Sequence, residues 1–210
     1  MAKKKTSKKA ARRKAPARKP AARRAGPRRS AGSKTRSAPR AAAAPGAPAG
    51  MHTVTPQLTL RESARAIEFY KQAFGAQELM RMPGPDGRGI IHAEIRIGDS
   101  VVFLSDEMPQ GPTVAPSPTH KTTTVIQLYV QDCDAVFQAA VQAGARVVGP
   151  LADMFWGDRY GCVADPFGHV WGIATHIKDL SPEEIARGAQ EWMAKNMPAG
   201  GQRPPHNQMS

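Results

Sequence analysis

The first fifty residues of this 210-residue chain lack the large apolar side chains from which a protein core is built. After the initial methionine they contain no leucine, isoleucine, valine or aromatic residue, and they contain no aspartate or glutamate. A segment without such side chains cannot offset the conformational entropy that folding costs. We therefore expect residues 1–50 to be a disordered tail.

The whole chain also lacks a long apolar run and has few cysteines. No stretch approaches the roughly 18 apolar residues that a membrane-spanning helix needs, and no apolar signal core follows the basic N-terminus. Two cysteines, Cys133 and Cys162, are too few for a disulfide framework and indicate reduced thiols. These absences predict a cytoplasmic protein without a membrane partner.

Charge divides the chain into two parts. Residues 1–50 contain 17 lysines and arginines, whereas the remaining 160 residues contain 13 basic and 17 acidic side chains. The tail is therefore a polycation, and the rest of the chain is weakly acidic. Only this second part, which has the size of one typical domain, carries the apolar residues that a core requires.

The basic residues of the tail form short clusters separated by alanine, proline, serine and glycine. The first clusters are Lys3, Lys4, Lys5, Lys8, Lys9, Arg12, Arg13 and Lys14. The pattern is similar to the tails of linker histones and bacterial histone-like proteins, whose charges neutralise phosphates. It predicts non-specific binding of DNA or RNA, without base stacking, and association with the nucleoid. The alternatives are a solubilising tail, a mitochondrial transit peptide, or a protein that begins at Met51.

The acidic part of the chain contains an internal repeat of about 70 residues. Leu58 and Leu128 occupy equivalent positions, as do Gly98 and Gly168. Each half has an alternating strand pattern, then a helical pattern ended by glycine, then three more strand patterns. Such a period is typical of duplicated modules. We predict an α+β fold in which two βαβββ modules form a curved mixed sheet around a central cavity, with the helices outside.

A further helix follows the repeat. Ser181, Pro182 and Glu184 form a capping-box pattern, and apolar residues recur at helical spacing up to about Asn196. The predicted organisation is a disordered basic tail at 1–50, a folded domain at 51–178, a C-terminal helix within 179–197 and a disordered end at 198–210.

Several motifs in the repeat resemble the vicinal-oxygen-chelate superfamily, which includes glyoxalases, bleomycin-resistance proteins and ring-cleaving dioxygenases. They are A-I-E-F-Y at 66–70, F-G-A at 74–76 and D-P-F-G-H at 165–169. Residues 92–99 and 155–161 resemble the PhnB-like branch of that superfamily. The resemblance covers residues 53–178 and implies a small-molecule cavity and a homodimer.

Enzymes of this superfamily typically chelate one divalent metal through side chains on the first, fourth, fifth and eighth strands. Counting from the motifs places these positions at Thr55, Phe103, Val125 and Gly172. None of these side chains is a usual ligand of a divalent metal. A shift of two residues would offer Gln57, Ser105, Gln127 and Ala174, again without a carboxylate. We therefore expect no metal and no cofactor, with a divalent metal at a relocated site as the alternative.

Strand alternation predicts which side chains line the cavity, because the apolar set of each strand packs on a helix and the opposite set faces inward. The predicted lining is Thr55, Gln57, Thr59, Phe103, Ser105, Gln127, Tyr129 and His176 on the strands, with Trp156 and Arg159 in a loop. An aromatic face and a guanidinium together suit a planar or anionic ligand. Alternatively, Arg159 pairs with Asp158.

The proline-rich segment Met108–Lys121 either covers the cavity or only links the modules.

His92 and Glu94 lie two residues apart on one face of the predicted third strand. They could act as a catalytic acid and base or as part of a relocated metal site, and the alternative is a solvated strand face. The sequence thus favours small-molecule binding of the bleomycin-resistance type. A lyase, isomerase or dioxygenase built around His92 and Glu94 remains the alternative, and the ligand is not specified.

Overall fold

The computed structural model describes residues 46–48 and 50–197, so most of the predicted tail and the end predicted at 198–210 lie outside the described residues. The elements in chain order are β1 (Gln57–Leu60), α1 (Ser63–Phe74), β2 (Gln77–Pro83), β3 (Ile90–Ile97), β4 (Ser100–Asp106), β5 (Val125–Tyr129), α2 (Cys133–Gln142), β6 (Arg146–Asp153), β7 (Asp158–Ala164), β8 (Val170–His176) and α3 (Pro182–Asn196).

The strands form two four-stranded sheets, in the orders β1-β4-β3-β2 and β5-β8-β7-β6. The first strand of each module pairs in parallel with the last, and the other pairs are antiparallel. Gln57 pairs with Phe103, and Gln127, its equivalent in the repeat, pairs with Gly172. The predicted α+β class and the duplicated modules are confirmed. Where the sequence predicts one curved sheet, the structure has two, with β1 and β5 at their edges.

The ends of α1 and α2 follow from local chemistry. Gly75 adopts a left-handed conformation with φ 64° and ends α1, as predicted. Ser63 does not cap α1 through its side chain, because Glu62 occupies the cap position and the Ser63 backbone N–H donates to Asp106 Oδ1 at 2.8 Å. Asp132 caps α2, since its side chain accepts from the Ala135 backbone N–H.

One continuous core lies on the helix side of both sheets. Helix α1 packs on the first sheet and helix α2 on the second, and these two helices contact each other. The Trp171 ring on β8 lies 4.7 Å from the Phe74 ring and 5.2 Å from the Tyr70 ring, between centroids. The modules are therefore joined through their helix layers, and the opposite face of each sheet carries exposed side chains. We call these the first and second open faces, after the module that forms them.

Asp165 fixes the two modules to each other. Its Oδ2 atom accepts hydrogen bonds from Tyr70 Oη of the first module at 2.8 Å and from Trp171 Nε1 at 2.9 Å. Its Oδ1 atom accepts from the backbone N–H groups of Phe167 and His169 and so holds the turn before β8. Burial and the Asp165 carboxylate raise the pKa of Tyr70 well above its ordinary value, so the phenol remains a donor.

The predicted C-terminal helix and its capping box are confirmed in α3. The helix contacts the domain through Trp192, whose ring lies 6.2 Å from that of Phe155, and none of its residues is buried.

Within the described ranges, no helix is both long enough and apolar enough to cross a membrane. Cys133 is buried and Cys162 is half-buried, and both are free thiols, as predicted.

Candidate functional site

The first open face brings together His92 and Glu94. His92 Nε2 lies 3.3 Å from Glu94 Oε1, and the side chains are 31% and 23% exposed. The His92 ring stands edge-on to the Phe103 ring, with 4.9 Å between centroids. Met82 and Met80 on β2 are the cross-strand partners of His92 and Glu94. The pair therefore sits in a half-buried row between sulfur and aromatic side chains.

Polar side chains of β1 and β4 extend this face. Gln57 Nε2 donates to Ser105 Oγ at 3.4 Å, and Thr59 Oγ1 donates to Thr113 Oγ1 at 2.7 Å. Thr59 and Ser105 are buried, whereas Gln57 is exposed. Thr55 is half-buried and lies two residues before β1. Four predicted cavity residues are thus at the edge where β1 meets β4 and the loop between the modules.

The second open face is organised around Asp158, a buried carboxylate at the start of β7. Tyr129 Oη and Trp156 Nε1 donate to its Oδ2 atom at 2.9 and 3.0 Å. The Oδ1 atom lies 2.7 Å from His176 Nδ1, and His176 Nε2 lies 3.0 Å from Asp179 Oδ1. Three predicted cavity residues therefore meet on one carboxylate that sequence reasoning did not assign to the cavity.

The ionisation of this cluster follows from its contacts. Burial alone would raise the pKa of Asp158, but the hydrogen bonds from His176, Tyr129 and Trp156 outweigh it and lower the pKa. The hydrogen bonds to Asp158 and then Asp179 raise the pKa of His176. The cluster therefore favours a carboxylate paired with an imidazolium at the end of the second open face.

Arg159 does not line the second open face. Its guanidinium donates to both carboxylate oxygens of Asp134 on α2, at 2.6 and 2.7 Å, and to Asp153 Oδ1 at 2.9 Å. Successive side chains of a strand point to opposite faces, so Asp158 and Tyr160 face one way and Arg159 faces the helix. We correct the prediction that Arg159 lines the cavity, and also the alternative that it pairs with Asp158.

The eighth-strand metal position is a glycine that neighbouring side chains pack closely against. A Cβ atom at Gly172 would overlap Gln127 Oε1 and would lie 2.8 and 3.0 Å from Tyr160 Cε2 and Oη. The Phe103 side chain occupies the fourth-strand position. Among the described residues, no three His, Cys, Asp or Glu side chains are grouped so that they could hold a metal ion. This set of side chains does not fit the metal that superfamily enzymes use.

Tyr160 and Gln127 instead give the second open face a neutral hydrogen-bonding surface. Burial raises the pKa of Tyr160 to about 12, and the neighbouring Cys162 thiol adds to the effect. The phenol is therefore protonated at neutral pH. The Trp156 ring lies 5.9 Å from the Tyr160 ring, between centroids, in an edge-to-face arrangement. Tyr160 was missed from sequence, although its alternation with Asp158 along β7 could have placed it here.

The loop between the modules, residues 107–124, covers a cavity beside β1. The cavity has a volume of about 490 Å³. Thr113 is hydrogen-bonded to Thr59, Ala115 is buried, and the Pro116 carbonyl accepts from Arg61 Nη1 at 3.3 Å. The proline-rich segment thus links the modules and forms one wall of this cavity beside β1.

Comparisons with known proteins agree with this architecture. A family model described as Glyoxalase/Bleomycin resistance protein/Dioxygenase superfamily matches residues 51–173. The uncharacterized protein Mb0911c of Mycobacterium bovis is 47% identical over 135 residues, which are 63% of this chain and 88% of that protein. The uncharacterized protein Rv0887c of Mycobacterium tuberculosis is 47% identical over 63% of this chain and 79% of its own length.

Two solved structures are similar to part of this chain. TioX from Micromonospora sp. ML1 is 30% identical, with a TM-score of 0.49 over 59% of this chain and 98% of that chain. The PhnB protein from Bacillus cereus is 16% identical, with a TM-score of 0.47 over 59% of this chain and 99% of that chain. The family match spans more than half of the 210 residues. The chain belongs to the glyoxalase/bleomycin resistance protein/dioxygenase superfamily.

Proposed function

We propose that this protein binds a small molecule on its open faces without the divalent metal that superfamily enzymes use. The crowding of Gly172 by Gln127 and Tyr160 carries the proposal, because these side chains take the space that a metal-binding carboxylate would need. They leave a neutral amide and a phenol in its place. Such groups orient a ligand by hydrogen bonding and supply no Lewis acid.

The second open face suits a planar ligand with polar substituents. The rings of Trp156 and Tyr160 provide apolar contact area, and the exposed Tyr129 extends it. Gln127 offers both a donor and an acceptor beside them. Few charged groups are left for the ligand, since the Asp158 carboxylate is already bonded to three side chains.

We propose that a second copy of the chain covers the open faces. Met80, Met82 and Tyr129 are 37%, 45% and 64% exposed, which is high for apolar side chains on paired strands. The homodimer would enclose the ligand between chains. Sedimentation analysis should give a dimer that Met82→Glu weakens, whereas Val141→Glu, a similarly exposed site on α2, should leave it intact. A monomer at all concentrations would contradict the proposal.

Ligand screening by thermal shift, with and without chelator, tests metal-independent binding. We expect stabilising ligands whose effect survives the chelator. Elemental analysis of the untagged full-length protein, purified without added metal, should show no stoichiometric metal. Near-stoichiometric metal, or stabilisation that the chelator abolishes, would contradict the proposal.

The second candidate function is an enzyme that uses His92 and Glu94. The 3.3 Å separation of His92 Nε2 and Glu94 Oε1 favours it, because a half-buried imidazole next to a carboxylate can accept a proton. If a ligand is found that the protein converts to a product, both His92→Gln and Glu94→Gln should abolish this conversion. Arg96→Gln, on the same strand face, is the matched control. Equal turnover in all three variants would exclude this candidate.

We further propose that the tail binds nucleic acid non-specifically. Its 17 basic residues and no acidic residue would release counterions from a phosphate backbone. Deletion of residues 1–50 should abolish DNA retention and its steep dependence on salt, while leaving the thermal stability of the domain unchanged. Retention that persists at the same salt dependence would contradict the proposal.

A further inference from the structure

The cavity under the loop between the modules adjoins the first open face at Gln57 and Thr59 and is a further place where a ligand could bind. It lies between β1, residues 113–124 and the start of β8. Its volume of about 490 Å³ is within the range of small-molecule sites. Neither the open faces nor the superfamily's metal positions account for the side chains of the loop that line it.

The polar side chains that line this cavity can all donate hydrogen bonds, and none of them is acidic. It comprises one lysine, two histidines, one glutamine and five threonines, namely Lys121, His120, His169, Gln57, Thr59, Thr113, Thr122, Thr123 and Thr124. The domain as a whole has more acidic than basic residues. The absence of a carboxylate from this wall therefore makes it locally positive in an acidic domain.

Several of these donors are placed to act on a ligand. Lys121 forms no ion pair within the described part of the chain. The Thr113 hydroxyl accepts from Thr59, so its own hydrogen is available for a second bond. His120 Nδ1 lies 3.0 Å from Thr119 Oγ1, which leaves its Nε2 atom for a ligand.

The equivalent groove in the other half of the repeat has a different character. It has a volume of about 590 Å³ and lies between β5 and the turn that joins β3 to β4. Its lining is mostly apolar, with Asp99 as its acid and without lysine, arginine or threonine. The positive wall therefore comes from the loop between the modules and is not a general property of the duplicated fold.

We propose that the cavity under this loop binds the oxyanion of a small ligand, a phosphate or a carboxylate, with Lys121 as the charge partner. The Thr113 hydroxyl and His120 Nε2 donate to the same group. The inference extends the proposed binding function, since it names the charged part of the ligand. Charge-assisted hydrogen bonds to lysine and hydroxyl donors are the usual means of holding such a group.

The test is a titration of the full-length protein with inorganic phosphate, followed by NMR of the histidine side chains. The tail contains no histidine, so none of the reporters belongs to it. Sodium chloride at equal ionic strength and constant pH is the reference. We expect a saturable shift of the His120 signal, assigned from His120→Gln. Acetate in a parallel titration distinguishes the ligand classes, since a response to both anions indicates carboxylate ligands as well as phosphates.

Two matched variants locate the binding. Lys121→Gln should weaken phosphate binding by about tenfold, as expected for the loss of one charge-assisted bond. Lys195→Gln removes the same charge from α3 and should leave the affinity unchanged. An unmoved His120 signal with both anions, or equal affinities in the two variants, would overturn the inference. A ligand that stabilises the protein without shifting His120 would retain the proposed function and remove only this inference.

Discussion

The bond between Tyr70 and Asp165 gives the sharpest prediction, because it joins the two modules inside the core. Tyr70→Phe removes the phenol oxygen that donates to Asp165 Oδ2 at 2.8 Å and retains the ring that packs on Trp171. The substitution therefore isolates one hydrogen bond to a buried carboxylate. We expect Tyr70→Phe to fold and to lose stability.

The size of the loss follows from the surroundings of Asp165. A hydrogen bond to a charged group contributes about 1.5–3 kcal/mol. Asp165 keeps three other donors, Trp171 Nε1 and the backbone N–H groups of Phe167 and His169, so it is not left without partners. We expect the free energy of unfolding to fall by about 2 kcal/mol. In a domain of this size that lowers Tm by about 4–8 °C.

Urea denaturation followed by tryptophan fluorescence measures the loss. Tyr129→Phe is the matched control, because its phenol also donates to a buried carboxylate, Asp158, at 2.9 Å but is 64% exposed. Water replaces the lost bond there, so we expect a loss below about 1 kcal/mol. If Tyr70→Phe lost no more stability than Tyr129→Phe, the bond would not hold the modules together and the reasoning would fail.

Three further predictions concern β8, β7 and α3. The bond to Asp158 raises the pKa of His176, so the stability that this bond contributes is complete below about pH 6.5 and declines as the pH rises through the pKa of His176 in the folded protein. The loss of stability caused by His176→Gln, measured by urea denaturation, should therefore become smaller as the pH rises. Gly161→Ala would bring a Cβ to 2.7 Å from Phe137 Cε2, so thermal unfolding should show a loss of about 1–3 kcal/mol. Ser181→Ala removes the cap of a helix without buried residues and should speed amide exchange in the first turn of α3 while leaving global stability unchanged.

The fold was accessible from the sequence because its signals are local and repeated. Alternating strands, helical spacing and the glycine at residue 75 each specify one element, and the 70-residue repeat shows that the elements recur in the same order. The joining of the modules was less accessible. It depends on Tyr70 and Trp171 meeting one carboxylate from distant parts of the chain, and no local pattern records such a contact.

The open faces show how far strand alternation alone can locate a site. Alternation correctly grouped His92 with Glu94, because both lie within a strand whose bounds were clear. It failed for Arg159, because the sequence analysis assigned this residue to a loop before β7. In the structure β7 starts at Asp158 and includes Arg159. Once that start is known, the same rule assigns Arg159 to the helix side.

Asp158 and Asp165 show why residue type does not reveal a role. Both are buried carboxylates near the ends of β7, and each accepts hydrogen bonds from an indole and a phenol. Asp165 takes its phenol from the other module and so fixes the core. Asp158 takes its phenol from β5 of its own module, on the far side of β8, and its donors stand at an exposed sheet face. The position of the donating phenol in the fold thus distinguishes a structural carboxylate from one that organises a binding surface. Tyr70→Phe and Tyr129→Phe, which each remove one phenol oxygen, test that distinction directly.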